Sequence, residues 1–466
     1  MWGDFKAALK TSEIALRGMK KRYGERSLST MVCAKHHSIL LAFNSRIFEA
    51  EASCRSVLAR TIELLGSQHP HTLETSGHLV RIFQLQGRIA MASSMANSIA
   101  EVSELCFRAD HHTRRLRYLL AETLLAVGDY ASAEVELEGI LTRATREYGE
   151  YHPDTLSYQS WLALAKYHAG KLQEAEELAI YVLQEQWRIY TIPQSDKAVL
   201  ERTHDKVGSR GSAKTLSEYQ DTLNKLLKSI SNNSDDLKIH PCLLQTLRTT
   251  ALIAQQSEGF GNLAFQILGA IYERNKVHLN EASIFTLDSE YELALAYRQK
   301  DQELDINSLK TAADHLRLVY RKRFSILGPK HPGTVSARRE LISTNCELGE
   351  WEPSLGPSEA ENTNHVPEGV KDQDKGVDLL DDMRWGRIEA ESHDIVSTHE
   401  ESVREHHPET LKSLHWLFTV QVILRDEKGA WKTTPRSEEA VKLVGQSRCI
   451  TTLIGFEVGE DSSQLY

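Results

Sequence analysis

The sequence has little that would tie it to a small cross-linked fold or to a membrane. Its 466 residues include only six cysteines, which are spread singly, and eleven prolines. Isolated cysteines exclude a dense disulfide framework and favour reduced thiols. No run of 18 apolar residues occurs, and the N-terminus has no apolar stretch of the signal-peptide kind. We therefore expect a cytoplasmic protein with no membrane partner.

Basic residues are also fewer than acidic ones. The chain has 55 lysines and arginines against 65 acidic residues, a formal net charge of -10. This balance excludes a chain-wide basic surface, so we expect no nucleic-acid partner. The length exceeds the roughly 250 to 300 residues that one hydrophobic core can serve. The sequence therefore predicts several domains or a repeat architecture.

The local signatures of catalysis are missing. A nucleotide site needs a Gly-rich loop ending in Gly-Lys-Ser/Thr, which segments 170–172 and 328–330 do not match. Adjacent histidines at 36–37 and 111–112 point in different directions on a helix, and the acidic run 372–382 lacks the order of a calcium loop. We expect no cofactor, no metal and no enzymatic activity; an enzyme of unrecognised class is a remote alternative.

A short pattern occurs three times, at 65–73, 148–156 and 327–335. Each copy has a glycine, then His-Pro, then a threonine, and a degraded copy lies at 406–411. The threonines at positions 30, 72, 113 and 155 are separated by 42, 41 and 42 residues. A fixed period of this size is typical of helical repeat proteins.

Two further landmarks keep the same register. Fifteen residues after four of the threonines is a glycine, and five residues further on is an alanine in three of them, namely Ala92, Ala133 and Ala175. We expect the threonine to cap the first helix of a hairpin, the glycine to end it, and the alanine to lie where the two helices approach closely. Each hairpin has an apolar face that only a neighbouring hairpin can cover.

The opening Gly-x-x-His-Pro-x-Thr-Leu and the turn Gly-x-x-x-Glu-Ala-Glu together resemble the 42-residue tetratricopeptide repeats of kinesin light chains. They are also similar to the arrays at the C-terminal end of fungal NB-ARC and other STAND receptors. The resemblance covers residues 1–190 well and 240–352 moderately. It implies an all-α fold, a tetratricopeptide-type α-solenoid of stacked antiparallel helical hairpins. The family's usual asparagine, six residues after the threonine, is absent, so no relative's ligand preference is implied.

The repeat pattern divides the chain into five segments. We predict a tetratricopeptide-like array at 1–190, an irregular joint at 191–239, a degenerate array at 240–351, a disordered acidic insertion at 352–378, and a degenerate repeat with a cap at 379–466. In the last segment, residues 385–391 are similar to the repeat's turn. Residues 3–8 match a second helix, so we expect either a truncated end or a partner for this half-hairpin.

By resemblance, first helices line the concave side of the array. Residues five, six and nine places after the threonine would face it: Lys35, His36, His78, Arg81, Tyr118, Trp161, Tyr291, Glu292 and Glu340. Aromatic, histidine and charged side chains on one wall suit an extended peptide or a partner helix. The alternative for single residues is that Trp161 and Tyr118 pack between repeats and that the charges are solvated.

These features predict a scaffold or adaptor that binds a protein or peptide in a concave groove. The alternative function is the ligand-sensing repeat portion of a nucleotide-driven receptor of the NB-ARC or STAND type, with its ATPase part absent from this chain. That alternative depends on the start of the pattern in mid-repeat. Coding sequence for a phosphate-binding loop immediately upstream would favour it.

Overall fold

The computed structural model describes residues 5–107, 111–191, 227, 241–257, 260–279, 281–299, 306–348, 375–403 and 407–423. All regular secondary structure in these ranges is helical, which confirms the predicted all-α fold. The first nine helices are α1 (Phe5–Tyr23), α2 (Leu28–Phe43), α3 (Ile47–Leu65), α4 (Pro70–Leu85), α5 (Ile89–Phe107), α6 (His111–Val127), α7 (Tyr130–Tyr148), α8 (Pro153–His168) and α9 (Leu172–Thr191). They are followed by α10 (Pro241–Gln256), α11 (Gly261–Leu279), α12 (Ile284–Gln299), α13 (Ile306–Leu327), α14 (Pro332–Leu348), α15 (Lys375–Ser402) and α16 (Pro408–Ile423).

The His-Pro step starts the first helix of a hairpin. In α4 the proline is the first helical residue and His69 is the N-cap, whose Nδ1 accepts a hydrogen bond from the backbone N–H of His71 at 3.2 Å. Proline suits this position because it has no N–H to leave unsatisfied and its φ is already helical. The prediction that the threonine is the N-cap is wrong, since the proline sets the cap one residue before itself.

The threonine instead closes the turn between consecutive hairpins. Its hydroxyl donates to the carbonyl oxygen of the glycine six residues earlier, from Thr72 to Gly66 at 2.8 Å and from Thr155 to Gly149 at 2.9 Å. Gly66 has φ of 86°, in the left-handed region that favours glycine at the end of a helix. The repeated glycine and threonine are therefore two parts of one hydrogen-bonded turn.

The alanine series is fully buried. Ala50, Ala92, Ala133 and Ala175 are all 0% exposed. A larger side chain at these positions would need space that close-packed helices do not provide. Full burial of these four alanines is consistent with the predicted close approach of the two helices, which stays a prediction.

Two compact units are present, Met1–His315 (unit 1) and Leu316–Tyr466 (unit 2). In unit 1 each first helix packs on the second helix of its own hairpin, and α9 packs on α10. Of the predicted joint at 191–239, only Thr191 and Leu227 are among the described residues. Leu227 is buried in a cluster with residues of α9 and α10, among them Ile180, Leu183, Leu243 and Leu247. Helices α9 and α10 therefore contact each other and share this cluster.

The first helices of unit 1 form its inner layer. Successive first helices contact one another from α2 to α4, α4 to α6, α6 to α8 and α8 to α10, whereas their second helices α3, α5 and α7 make no comparable contacts with each other. When one layer of a two-layer stack has closer neighbours, that layer lies on the inside of the curve. From α2 to α10 this arrangement makes the first helices the inner layer, and their position on a concave binding side stays a prediction.

Unit 2 has its own core, formed by α14, α15 and α16. Its members are Val335, Ile342, Ile388, Ile395, Trp416 and Val420. The prediction of a turn at 385–391 is wrong, because these residues lie inside α15. Glycine lowers helix propensity by only about 1 kcal/mol, and burial of the neighbouring isoleucines outweighs it. Residues 352–374 of the predicted insertion and 424–466 of the predicted cap lie outside the described residues, and α15 begins at Lys375.

Candidate binding face

An ion pair connects the first two inner helices of unit 1. Lys35 of α2 is 4% exposed, and its Nζ donates to Oε2 of Glu74 in α4 at 2.5 Å. The other oxygen of Glu74 lies 2.9 Å from Nδ1 of His112 in α6. Burial alone would raise the pKa of the Glu74 carboxyl, but the hydrogen bond and charge of Lys35, together with His112 and Arg115, lower it to about 2. Glu74 is therefore an anion shared by three first helices.

Two histidines lie beside this ion pair. The ring of His78 is 5.7 Å from the ring of His36, and its Nδ1–H donates to the backbone carbonyl of Lys35 at 3.2 Å. Burial, followed by the charge of Lys35, lowers the pKa of His78 to about 3. His78 is consequently neutral near pH 7. Of the two rings, that of His36 is the one exposed to solvent.

Two more ion pairs join neighbouring first helices further along unit 1. Arg81 of α4 donates to Oε2 of Glu122 in α6 at 3.0 Å. Arg248 of α10 makes a two-pronged contact with Glu292 of α12, with Nε 2.7 Å from Oε1. The charge of Glu292 is the main cause that raises the pKa of Arg248. Each of these charges is paired with an opposite charge within the protein. The pairing fixes the side-chain positions before any ligand binds.

Tyr118 and Trp161 form an aromatic cluster on α6 and α8. Their ring centroids are 6.0 Å apart in an edge-on arrangement, and Tyr118 also lies 5.3 Å from the ring of Tyr158. Both pack against a buried cluster that includes Leu137 and Leu162, and each keeps part of its surface exposed. Burial raises the pKa of Tyr118 well above its ordinary value. The packing interpretation of these two residues therefore matches their contacts in the structure.

The remaining candidates lie apart from these groups. Tyr291 is partly buried in α12, next to Glu292 in sequence. Glu340 belongs to α14 of unit 2, where Oε1 accepts a hydrogen bond from Nη2 of Arg339 at 2.6 Å. Eight of the nine predicted residues are thus in unit 1, and Glu340 is in a different unit.

The sequence interpretation missed the partners of these side chains. Glu74 and Arg248 stand two residues after Thr72 and Thr246, and Glu122 stands nine residues after Thr113. The position two residues after the threonine was not considered, although a helix places it one turn from the position five residues after. Opposite charges at these positions on successive first helices would have predicted the ion pairs.

The part of the chain that the structure describes contains neither a metal cluster nor a membrane-spanning helix. No group of three or more His, Cys, Asp or Glu side chains there is arranged to hold a metal ion. Within the same residues, no helix combines the length and apolar character needed to cross a membrane.

Comparison with protein families gives one match. Residues 112–179, which span α6 to α9, match the sequence profile of the tetratricopeptide repeat. This stretch is therefore a tetratricopeptide repeat array, and the resemblance seen in the sequence is confirmed there. Tetratricopeptide repeats generally mediate protein–protein interactions and are typically non-enzymatic scaffolds. No curated protein matches the chain.

Solved structures show weak similarity. Two describe nearly identical TPR-like repeats of a Podosopora anserina protein provisionally assigned as a kinesin light chain, one of them a variant with a single substitution. Each is 20% identical, with a TM-score of 0.32, and the match covers 55% of this chain and 97% of that chain. A circular tandem repeat protein is 13% identical with a TM-score of 0.20, over 97% of this chain and 96% of that one.

Proposed function

We propose that the chain is a protein-interaction scaffold or adaptor, and that the inner face of unit 1 binds a peptide or a partner helix. The inner face is the set of eight predicted residues on first helices of unit 1: Lys35, His36, His78, Arg81, Tyr118, Trp161, Tyr291 and Glu292. The observation that supports the proposal is that ion pairs and ring contacts between successive first helices hold most of these side chains in place.

A face that is ordered in advance favours binding. Side chains already fixed by neighbours lose little conformational entropy when a ligand arrives, so more of the contact energy is kept as affinity. Aromatic residues and arginine are also the side chains that most often dominate binding energy at protein interfaces. The partly exposed Trp161 and Arg81 supply both kinds within the same inner layer.

The test begins with peptides selected from a random display library against the full chain. Their affinities are then measured for a variant carrying His36→Ala, Arg81→Ala and Trp161→Ala. We expect binding at least about ten-fold weaker, since several anchoring contacts are lost and each 1.4 kcal/mol is a factor of ten. Thermal melts of the variant establish that the loss of binding is not a loss of folding.

The matched control removes apolar surface from second helices instead. Phe48, Leu105 and Val135 are 72%, 84% and 68% exposed, so the variant Phe48→Ala, Leu105→Ala, Val135→Ala should fold normally. Its affinity for the selected peptides should equal that of the parent chain. Binding that is weakened by the control changes and kept by the inner-face changes would place the binding surface on the second helices and contradict the proposal.

The receptor alternative stays a prediction. It concerns a nucleotide-binding part outside this chain, and no contact within the described residues bears on it. The same inner face would then serve as the sensor's binding surface. Transcript sequence upstream of the first codon, with or without a phosphate-binding loop in frame, distinguishes the two forms of the proposal.

A further inference from the structure

The two ends of the unit 1 stack contact each other. Phe5 at the start of α1, Phe43 at the end of α2 and Phe285 in the first turn of α12 form a cluster of three rings. The centroid of Phe285 is 5.9 Å from that of Phe5 and 5.5 Å from that of Phe43. The hydroxyl of Ser45 donates to the carbonyl oxygen of Ala282 at 3.1 Å, across 237 positions of sequence.

Ser45 departs from the repeat pattern at this contact. It stands fifteen residues after Thr30, where the later repeats have Gly87, Gly128 and Gly170. Its φ is 64°, and among the described residues it is the one non-glycine residue with positive φ. A side chain in this conformation is strained, whereas glycine is not. Glycine would relieve this strain but has no hydroxyl, and the hydroxyl of Ser45 is the group that donates to Ala282.

Helices α1 and α2 hold two of the three rings together. The side-chain amide of Asn44 donates to the backbone carbonyl of Phe5 at 2.9 Å, and the rings of Phe5 and Phe43 are 5.0 Å apart. The start of α1 is thereby fixed against the end of α2. Phe285 packs against this preformed pair rather than against a single mobile side chain.

We propose that Phe5, Phe43, Ser45 and Phe285 form a latch that closes unit 1 into a ring, and that a partner reaches the inner face when the latch opens. This inference rests on the proposed function and adds that the latch controls the partner's access to the inner face.

The latch is the smallest contact in the closed circuit. Among the residues that the structure describes, it consists of three partly buried rings and one hydrogen bond between a side chain and the backbone. Neighbouring hairpins, by contrast, bury whole helix faces, with residues such as Leu137, Leu156 and Ile267 almost fully enclosed. Local opening begins where the fewest buried contacts must be broken. The ring therefore opens at the latch and not between neighbouring hairpins.

Cross-linking of the full chain tests closure. The variant Ser45→Cys, Ala282→Cys is oxidised, and the 45–282 disulfide is identified by peptide mass spectrometry, with the parent chain reporting any bonds among the native cysteines. The control is Phe48→Cys, Ala282→Cys, which places the first thiol on an exposed position of the same region. We expect the 45–282 bond to form and the 48–282 bond not to form. Adding Phe285→Ala should slow formation of the 45–282 bond about ten-fold, which is the effect of roughly 1.4 kcal/mol.

Access is tested with a selected peptide that has a small folded domain fused to each end. Such a probe cannot thread end-first through a ring. Its association with the oxidised 45–282 variant should be at least about ten-fold slower than with the reduced form, because a population of open molecules is needed for entry. Oxidation of the 48–282 control should leave the rate unchanged.

The possible results separate the two proposals. Failure of the 45–282 bond to form, or equal association rates before and after its formation, overturns the latch and leaves the binding face intact. Absence of binding by every form of the chain overturns the proposed function, and control of access with it. Slow association that recovers on reduction supports the latch.

Discussion

Ala133 offers the most direct mutational test of the hairpin packing. It is 0% exposed and lies on one face of α7 with Leu137, Ile140 and Ala144, which are 0%, 1% and 0% exposed. The spacing of these four residues is that of a single helical stripe. Replacing Ala133 with leucine adds three carbon atoms at a fully buried position.

The expected penalty is that of overpacking. Added methylenes in a well-packed core typically destabilise by about 1 to 3 kcal/mol, because neighbours must move or adopt poor rotamers. Repeat stability is carried by contacts between neighbours, so the damage should extend to the hairpins on either side, α4–α5 and α8–α9. The matched control is Val135→Leu, two residues away and 68% exposed, which should change stability by less than about 0.5 kcal/mol.

Thermal and denaturant unfolding, followed by helical circular dichroism, measure both variants. The account predicts a lower midpoint for Ala133→Leu and an unchanged midpoint for Val135→Leu. Hydrogen exchange should locate the loosened region in α4 to α9. If Ala133→Leu unfolds with the parent chain, the alanine is not at a helix contact and the repeat register is refuted.

Three other changes have definite expected outcomes. Gly139→Ala should raise the free energy of unfolding by about 0.5 to 1 kcal/mol in denaturant titrations, because Gly139 is exposed within α7 and an added Cβ meets nothing within 4 Å. Glu292→Gln should lower it by about 1 to 3 kcal/mol, a moderate loss because the partner Arg248 side chain is 39% exposed. Burial lowers the pKa of His399 from 6.5 to about 4, so unit 2 should lose roughly 3 kcal/mol as pH falls from 6.5 to 4.

The sign of the pH effect follows from proton binding. Between pH 6.5 and 4 the unfolded chain protonates His399 while the folded unit does not, so acid favours unfolding. The groups that face this ring are Arg339, Glu409, His407, Ser336 and Ser413. The pKa of Glu409 is itself well below its ordinary value, so its contribution is lost only at lower pH. A His399→Gln variant whose stability keeps the same slope over this range would contradict the assignment.

The hairpin fold could be predicted because its determinants are local. Glycine, proline, threonine and alanine recur within one period, and each acts on backbone or on a helix a few residues away. The position of the N-cap was harder to predict. Thr72 resembles an N-cap in the sequence, but Pro70 fixes the start of the helix, so that His69 is the N-cap. The side chain of Thr72 then satisfies the carbonyl of Gly66.

The inner-face pairs and the latch could not be derived from one repeat. Lys35 and Glu74, or Arg248 and Glu292, meet only because successive hairpins stack in a particular register. The approach of Ser45 to Ala282 depends on curvature accumulated over all the intervening hairpins. The one sign of this contact in the sequence is Ser45, which stands where the later repeats have glycine.

Hydrogen exchange of the full chain with and without a saturating selected peptide tests the central claim most directly. If the first helices of unit 1 form the binding surface, amides of α4, α6 and α8 should exchange more slowly in the complex, while those of α5 and α7 should exchange at the rate of the free chain. Protection confined to α5 and α7, or to unit 2, would contradict the account.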